Sequence, residues 1–186
     1  MILSKINLSD LYETRNSANT PTQSIIKTVK ERLMTFFTEE NYNSIQRMPK
    51  LRTYKYLKQP QQNNDNNYVT MNLSISARSK LAKMRTGTFP INIELGRYRK
   101  IPIDNRLCEA CDQKHIESET HFLLNCNAYN NLRVKLYNEL NIDPTNMSEP
   151  DILNHVLCGQ TEHTCLSVSA YITEAYQLRN CILSKL

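Results

Sequence analysis

Three of the chain's six cysteines and two of its four histidines fall within nineteen residues, CEACDQKHIESETHFLLNC, running from Cys108 to Cys126. Cys108 and Cys111 form a C-x2-C pair, a spacing at which one tight turn directs two thiolates at the same ion. His121 and Cys126 supply a second pair, so the whole reads C-x2-C-x9-H-x4-C. Three sulfurs and one imidazole suit a single structural Zn2+ in a closed tetrahedral site, where the metal itself contributes folding free energy. Buried free cysteines are common in cores, and a histidine and a third cysteine at finger-like spacing are what set this cluster apart from ordinary core thiols. On a regular helix His121 and Cys126 would point about 140° apart, so both reach one ion only if the helix unwinds near Asn125 or if Cys126 lies just past its end. The flanking Asn125 and Asn127 permit either, and Phe122 to Leu124 offer an apolar anchor beneath the site. His115 is the alternative imidazole, although Gln113 and Lys114 beside it read as an exposed loop tip.

A second soft set, His155, Cys158, His163 and Cys165, lacks this order: the first two share a predicted helix, while the others alternate in a loop. It reads as coincidence, and Cys181 reads as a core thiol. No catalytic constellation emerges. Asp151 after Pro150 matches only the start of a nuclease signature, with no carboxylate-x-Lys following before Ile182. Asp143, Glu149 and Glu162 fall in turns and helix starts, where acids satisfy caps and dipoles. There is no P-loop, no G-x-S-x-G and no H-E-x-x-H. A metal held by four protein side chains also leaves no open position for water, so the expected protein is not an enzyme.

Upstream of the cluster lie Arg78, Lys80, Lys83, Arg85, Arg97, Arg99, Lys100 and Arg106, opposed only by Glu94 and Asp104. Such a surplus beside a metal module is what tracking a phosphate backbone requires, because each neutralised phosphate releases counterions. Tyr98, between two arginines, offers a ring for an unpaired base. These nine residues are the nucleic-acid-binding candidates, and RNA or single-stranded DNA is the expected partner. The alternatives are a solvated basic face or contact with an acidic protein. On a helix Arg78 and Arg85 share one face and Lys80 and Lys83 another, so the charges make no single stripe.

The elements that must position these residues are helical. Ile2, Leu3 and Ile6 suggest a short opening helix, followed by a turn at NSANTPTQ. From Thr22 into the mid-forties, Ile25, Ile26, Val29, Leu33, Phe36 and Phe37 recur at three- and four-residue steps, the pattern of an amphipathic helix. Ser74 as N-cap and Gly87 as stop bracket a helix with apolar Ile75, Leu81 and Met84. FPINIELGRYRKIP is compatible with either a short helix or extended chain. Leu132, Leu136 and Leu140 mark a helix, EPDILNHVLCG a short one stopped by Gly159, and CLSVSAYITEAYQLRNCILSKL a long last one. Alternating strands and internal repeats are both missing from the pattern, so the fold class expected is mainly α with a small Cys-Cys-His-Cys module of zinc-knuckle type.

Gln59 to Asn67 contains no apolar residue and reads as a linker. It divides an N-terminal helical segment, 1–58, from a polar linker, 59–70, a metal-binding module with its basic helix, 71–140, and C-terminal helices, 141–186. No run approaches the roughly 18 to 20 apolar residues that span a bilayer. MILSKINLSDLYETRN has neither a sustained apolar core nor a small-residue cleavage site. The chain is therefore expected to be intracellular, nuclear or cytoplasmic, without membrane contact, and in that reducing setting its cysteines are not a disulfide framework.

Taken in order, Arg85 and Gly87, Gly96 to Tyr98, Cys108 and Cys111, Glu117 to Glu119, His121 to Leu124, Cys126, and Tyr129 with Arg133 make a pattern. It resembles the zinc-binding region downstream of the polymerase domain in reverse transcriptases of non-LTR retrotransposons, and in animal genes derived from them. The likeness covers about a third of the chain. PKLRTYKYLKQ, with Leu51, Tyr54 and Lys58, also resembles the segment preceding that region, and the last helix, with Tyr171 and Arg179, fits more loosely. The resemblance implies zinc at the four named positions, a role in holding template RNA or target DNA, and a reverse transcriptase or other protein as partner. No Tyr-x-Asp-Asp polymerase signature occurs, and 186 residues are too few for such a polymerase, so the resemblance implies a piece or a domesticated remnant standing without it.

Overall fold

The structure, a computed structural model, describes residues 22–57, 68–159 and 161–185. The expected opening helix at Ile2 to Ile6 and most of the expected linker lie outside the described residues. Among those described there is no strand, only an isolated antiparallel bridge between Leu107 and Ile116, and the fold is mainly α as the patterning predicts. No described helix is long and apolar enough to cross a membrane. The chain divides into two compact units, Met1–Pro49 and Lys50–Leu186.

The first unit holds helix α1, Thr22–Arg47. Its half-buried apolar stripe is Ile25, Val29, Leu33 and Phe36, spaced four, four and three apart, whereas Ile26 and Phe37 turn outward. Thr28, Thr35 and Thr38 each fold the hydroxyl back onto the carbonyl four residues earlier, which lets these β-branched residues sit within a helix.

The second unit carries the core and, among its described residues, five further α-helices. They are α2 (Ile75–Thr86), α3 (Asn92–Tyr98), α4 (Asn130–Leu140), α5 (Glu149–Leu157) and α6 (Glu162–Leu183). Helix α6 is the spine, packed on α2, α4 and α5. Its buried stripe, Cys165, Val168, Ile172, Ala175 and Arg179, advances in steps of three and four, and its small members let neighbours approach. Cys181 falls two residues beyond Arg179, about 200° around the helix. It is exposed, so the expectation of a core thiol there fails. Leu81, Met84, Ile91, Phe122, Tyr129 and Val156 close around the same centre.

Local chemistry explains most helix boundaries. Ser74 accepts from the Ala77 N–H, Ser148 from that of Asp151 and Thr161 from that of Thr164, each satisfying an orphan donor of a first turn. Ile75, directly after its cap, is exposed, and Ala77 faces the core in its stead. Gly87 ends α2 in the left-handed region at φ +72°, and a Cβ there would lie 3.0 Å from Arg52 Cγ. Helix α3 has no such local signature. Its first N–H, from Asn92, donates to the Glu117 carboxylate at 2.7 Å, so its cap arrives from twenty-five residues away.

Candidate metal centre

The two halves of the cluster sit on different scaffolds. Cys108 and Cys111 lie on a loop closed at its neck by the Leu107–Ile116 bridge and by a hydrogen bond from the Cys108 N–H to the His115 carbonyl, 2.8 Å. Lys114, at φ +51°, makes the reversal. His121 opens a π-helical turn, His121–Asn125, and Cys126 follows it in extended conformation at φ −65°, ψ 124°. The Cys126 N–H donates to the His121 carbonyl at 2.8 Å, spanning five residues rather than four. Widening the turn and then leaving the helix removes the 140° offset that a regular helix would impose.

The ligating atoms of Cys108, Cys111, His121 and Cys126 all lie within 4.8 Å of one another. Cys108 Sγ is 3.9 Å from Cys126 Sγ, and Cys111 Sγ is 3.5 Å from His121 Nε2. A tetrahedral site with metal–sulfur bonds of about 2.3 Å has sulfur–sulfur edges of about 3.8 Å, so these four fit a metal ion. His115, the alternative imidazole, is exposed and outside the group, its ring 5.8 Å from that of His121. Electrostatics also favour a cation. The neighbouring Cys126 sulfur and burial push the Cys108 thiol up to about 12, burial raises Cys111, and Cys126 is lowered by its hydrogen bond from Cys108. Sulfurs this close cannot all ionise without a compensating positive charge.

Behind the ligands stand residues that spacing alone did not assign. The carbonyls of Phe122 and Leu123 have left the helical ladder in a buried setting, where each needs a donor, while that of Cys126 takes a long 3.3 Å bond from the Tyr129 N–H. Tyr171 from α6 donates its hydroxyl to Phe122 and Leu123, at 3.1 and 3.2 Å. Arg133 from α4 donates to Leu123 at 3.0 Å and to Cys126 at 2.7 Å. The Phe122 and Tyr129 rings pack against each other at a tilt of 53°, their centres 4.9 Å apart. The acidic stretch is buried too: Glu117 takes Arg179, while Glu119 takes Arg52, which also reaches Glu94. A legible signal existed for two of these arginines, since Arg133 and Arg179 occupy steps of apolar stripes where only a partnered charge is tolerated.

The second soft set forms no metal-ligating group among the described residues. Cys165 contacts Met71 Sδ and the Gly159 carbonyl at 3.7 Å each, and His163 lies 3.5 Å from Glu139 on the surface. Asp143 accepts from Thr145 and Asn146 in a turn, while Glu149, Asp151 and Glu162 occupy first turns of helices.

The nine basic-surface candidates separate into two groups. Arg78 donates to the Met71 and Leu73 carbonyls, and Arg85 is buried with its guanidinium 4.7 Å from the Tyr68 ring. Arg106 runs under Gly96 to the carbonyls of Ile93 and Ile101, at 2.8 and 2.9 Å. A Cβ at Gly96 would come within 2.6 Å of Arg106 Cγ, which is why a glycine sits inside α3. Lys83, Tyr98, Arg99 and Lys100 are exposed, and Lys80 and Arg97 are half-buried. Arg97 hydrogen-bonds Glu94 at 2.7 and 3.0 Å and lies 4.3 Å from the Tyr98 ring centre. No family model, curated protein or solved structure matches this chain.

Proposed function

We propose that Cys108, Cys111, His121 and Cys126 hold one structural Zn2+, and that the chain is a non-catalytic module binding RNA or single-stranded DNA, derived from the machinery of a non-LTR retrotransposon reverse transcriptase. Zinc is favoured over harder ions because the donors are three thiols and an imidazole. Bound there, the ion would tie the C-x2-C loop to the π-turn and add folding free energy. With four side chains on the metal, no position is left to activate water, which argues for scaffolding rather than hydrolysis.

The observation that carries the nucleic-acid reading is the exposed segment Tyr98–Lys100 at the end of α3, beside half-buried Arg97. Buried Glu94 holds Arg97, Arg97 covers one face of Tyr98, and the ring is still 70% exposed, open to a base. Aromatic stacking flanked by cations recognises unpaired bases without demanding a sequence. Contacts of Arg97, Arg99 and Lys100 with three phosphates would give a log–log salt slope of about −2 on a single strand. Fluorescence anisotropy with RNA, single-stranded and duplex oligomers across a salt series tests this. Arg99→Glu should weaken binding and flatten the slope, and Tyr98→Ala should lower the preference for unpaired strands. Absence of binding at low salt would leave the second reading, a zinc-stabilised protein-interaction module. That reading is favoured by Ile26, Met34 and Phe37 of α1, which are 49%, 50% and 56% exposed.

A further inference from the structure

We infer that Arg133 and Tyr171 are positioning residues for the metal centre: they hold the π-turn in the one shape that presents His121 and Cys126 to a common ion. This rests on the metal reading above and adds the two helices that enforce it. His121 and Cys126 are separated by only four residues, so their relative direction is set by the backbone between them. A regular α-helical turn would splay them, whereas the observed turn delivers them together.

The observed turn is not favoured by its own hydrogen bonding. It takes the carbonyls of Phe122 and Leu123 off the ladder and gives that of Cys126 a long 3.3 Å bond from the Tyr129 N–H, all three in residues no more than 1% exposed. Four hydrogen bonds from two side chains meet these three oxygens. Both donors are themselves buried, Arg133 at 6% and Tyr171 at 4% exposure. Arg133 holds the carbonyl of the ligand Cys126 itself, while Tyr171 bridges the two residues after His121. Without them the carbonyls would seek α-helical partners, and Cys126 would rotate away from His121. Outer-shell partners of this kind typically change metal affinity roughly ten- to a hundredfold when removed.

The test uses the full chain titrated with Co2+, whose visible ligand-field and thiolate charge-transfer bands report the coordination geometry of a tetrahedral site. Tyr171→Phe deletes only the hydroxyl, and Arg133→Lys retains one donor. Val168→Ala, in the α6 core and with no hydrogen-bonding group in its side chain, controls for general loss of stability. Tyr171→Phe is expected to weaken Co2+ binding at least tenfold and to alter the bands at saturation. Arg133→Lys should fall between it and the parent, and Val168→Ala should leave the saturated spectrum unchanged. Parental affinity and spectrum in both Tyr171→Phe and Arg133→Lys, with a parent that binds Co2+, would overturn this inference alone. So would affinity losses no larger than that of Val168→Ala accompanied by an unchanged spectrum. A parent without thiolate charge-transfer bands would remove the metal reading and this inference together.

Discussion

Arg179, near the end of α6, donates to both oxygens of the Glu117 carboxylate, at 2.6 and 2.8 Å, with 5% and 0% of the two side chains exposed. The same carboxylate receives the first N–H of α3, and Arg179 also bonds the Asn92 side chain. One ion pair thus joins the last helix, the segment entering the π-turn and the start of α3. Burial works against the charge on Arg179, and its hydrogen bonds to Glu117 together with the charge of that carboxylate outweigh it, so its pKa is raised.

Removing one partner strands the other charge in the core. Arg179→Leu is expected to destabilise the second unit by about 3 to 5 kcal/mol, the range for breaking a buried pair. Arg179→Leu with Glu117→Gln should recover part of that loss, because no uncompensated charge then remains. Urea unfolding of the single and double variants measures the coupling. Strict additivity would contradict the arrangement.

The two glycines of the basic region fail differently when substituted. Gly96→Ala places a methyl 2.6 Å from Arg106 Cγ and pushes that side chain off the carbonyls of Ile93 and Ile101. Orphaned buried acceptors cost about 1 to 3 kcal/mol each, so a lowered melting temperature is expected. Gly87→Ala meets both a left-handed backbone and the Arg52 side chain at 3.0 Å, so Arg52→Ala should relieve only part of its effect. Thermal melts of Gly87→Ala alone and combined with Arg52→Ala separate the backbone contribution from the contact.

Whether a helix could be read from the residues depended on where its hydrogen bonds came from. Helix α2 announces itself because its cap, Ser74, and its stop, Gly87, are local, and α6 because its stripe from Cys165 to Arg179 runs for about four turns. Helix α3 could not be assigned from FPINIELGRYRKIP, since its first N–H is satisfied by Glu117 from a distant loop. The clustering of Cys108, Cys111, His121 and Cys126 was legible from type and spacing, including the need to leave the helix at Cys126. The internal contacts of Arg78, Arg85 and Arg106 were not, because a basic residue in a list carries no sign of which carbonyl or ring lies within its reach. Periodicity was similarly blind to Cys181: an apolar residue late in a helix can fall on either face, and only the stripe through Ala175 and Arg179 decides it.

The ligand set predicts a metal stoichiometry. Elemental analysis of purified protein is expected to find close to one zinc per chain, lost in Cys108→Ser and in His121→Ala but kept in His115→Ala, whose exposed ring stands outside the cluster. Stripping the metal with a chelator should lower helical content and melting temperature, because Cys108 and Cys126 are core residues whose neighbours include Phe122 and Tyr129. Unchanged melting after complete metal removal would mean that the sulfurs are packing groups only.

Acid should loosen the basic segment before the rest of the second unit. Hydrogen bonds from Arg97, outweighing burial and helped by the charges of Arg97 and Arg52, hold the Glu94 carboxyl below the usual carboxylate range. A carboxyl depressed in the folded state contributes stability that is fully present above its unfolded pKa and is lost as pH falls through the folded one. Protonating Glu94 releases Arg97 and with it the stack on Tyr98. Glu94→Gln should therefore lower stability at neutral pH and make it less sensitive to acid, so the two melting curves converge as pH drops through the carboxylate range. Tyr98 fluorescence cannot be isolated among ten tyrosines, so selective labelling of Tyr98 with a fluorinated ring, followed by 19F NMR across pH, provides the local readout. A parent and variant whose stabilities keep a constant gap down to strongly acidic pH would show that Glu94 does not carry its charge in the fold.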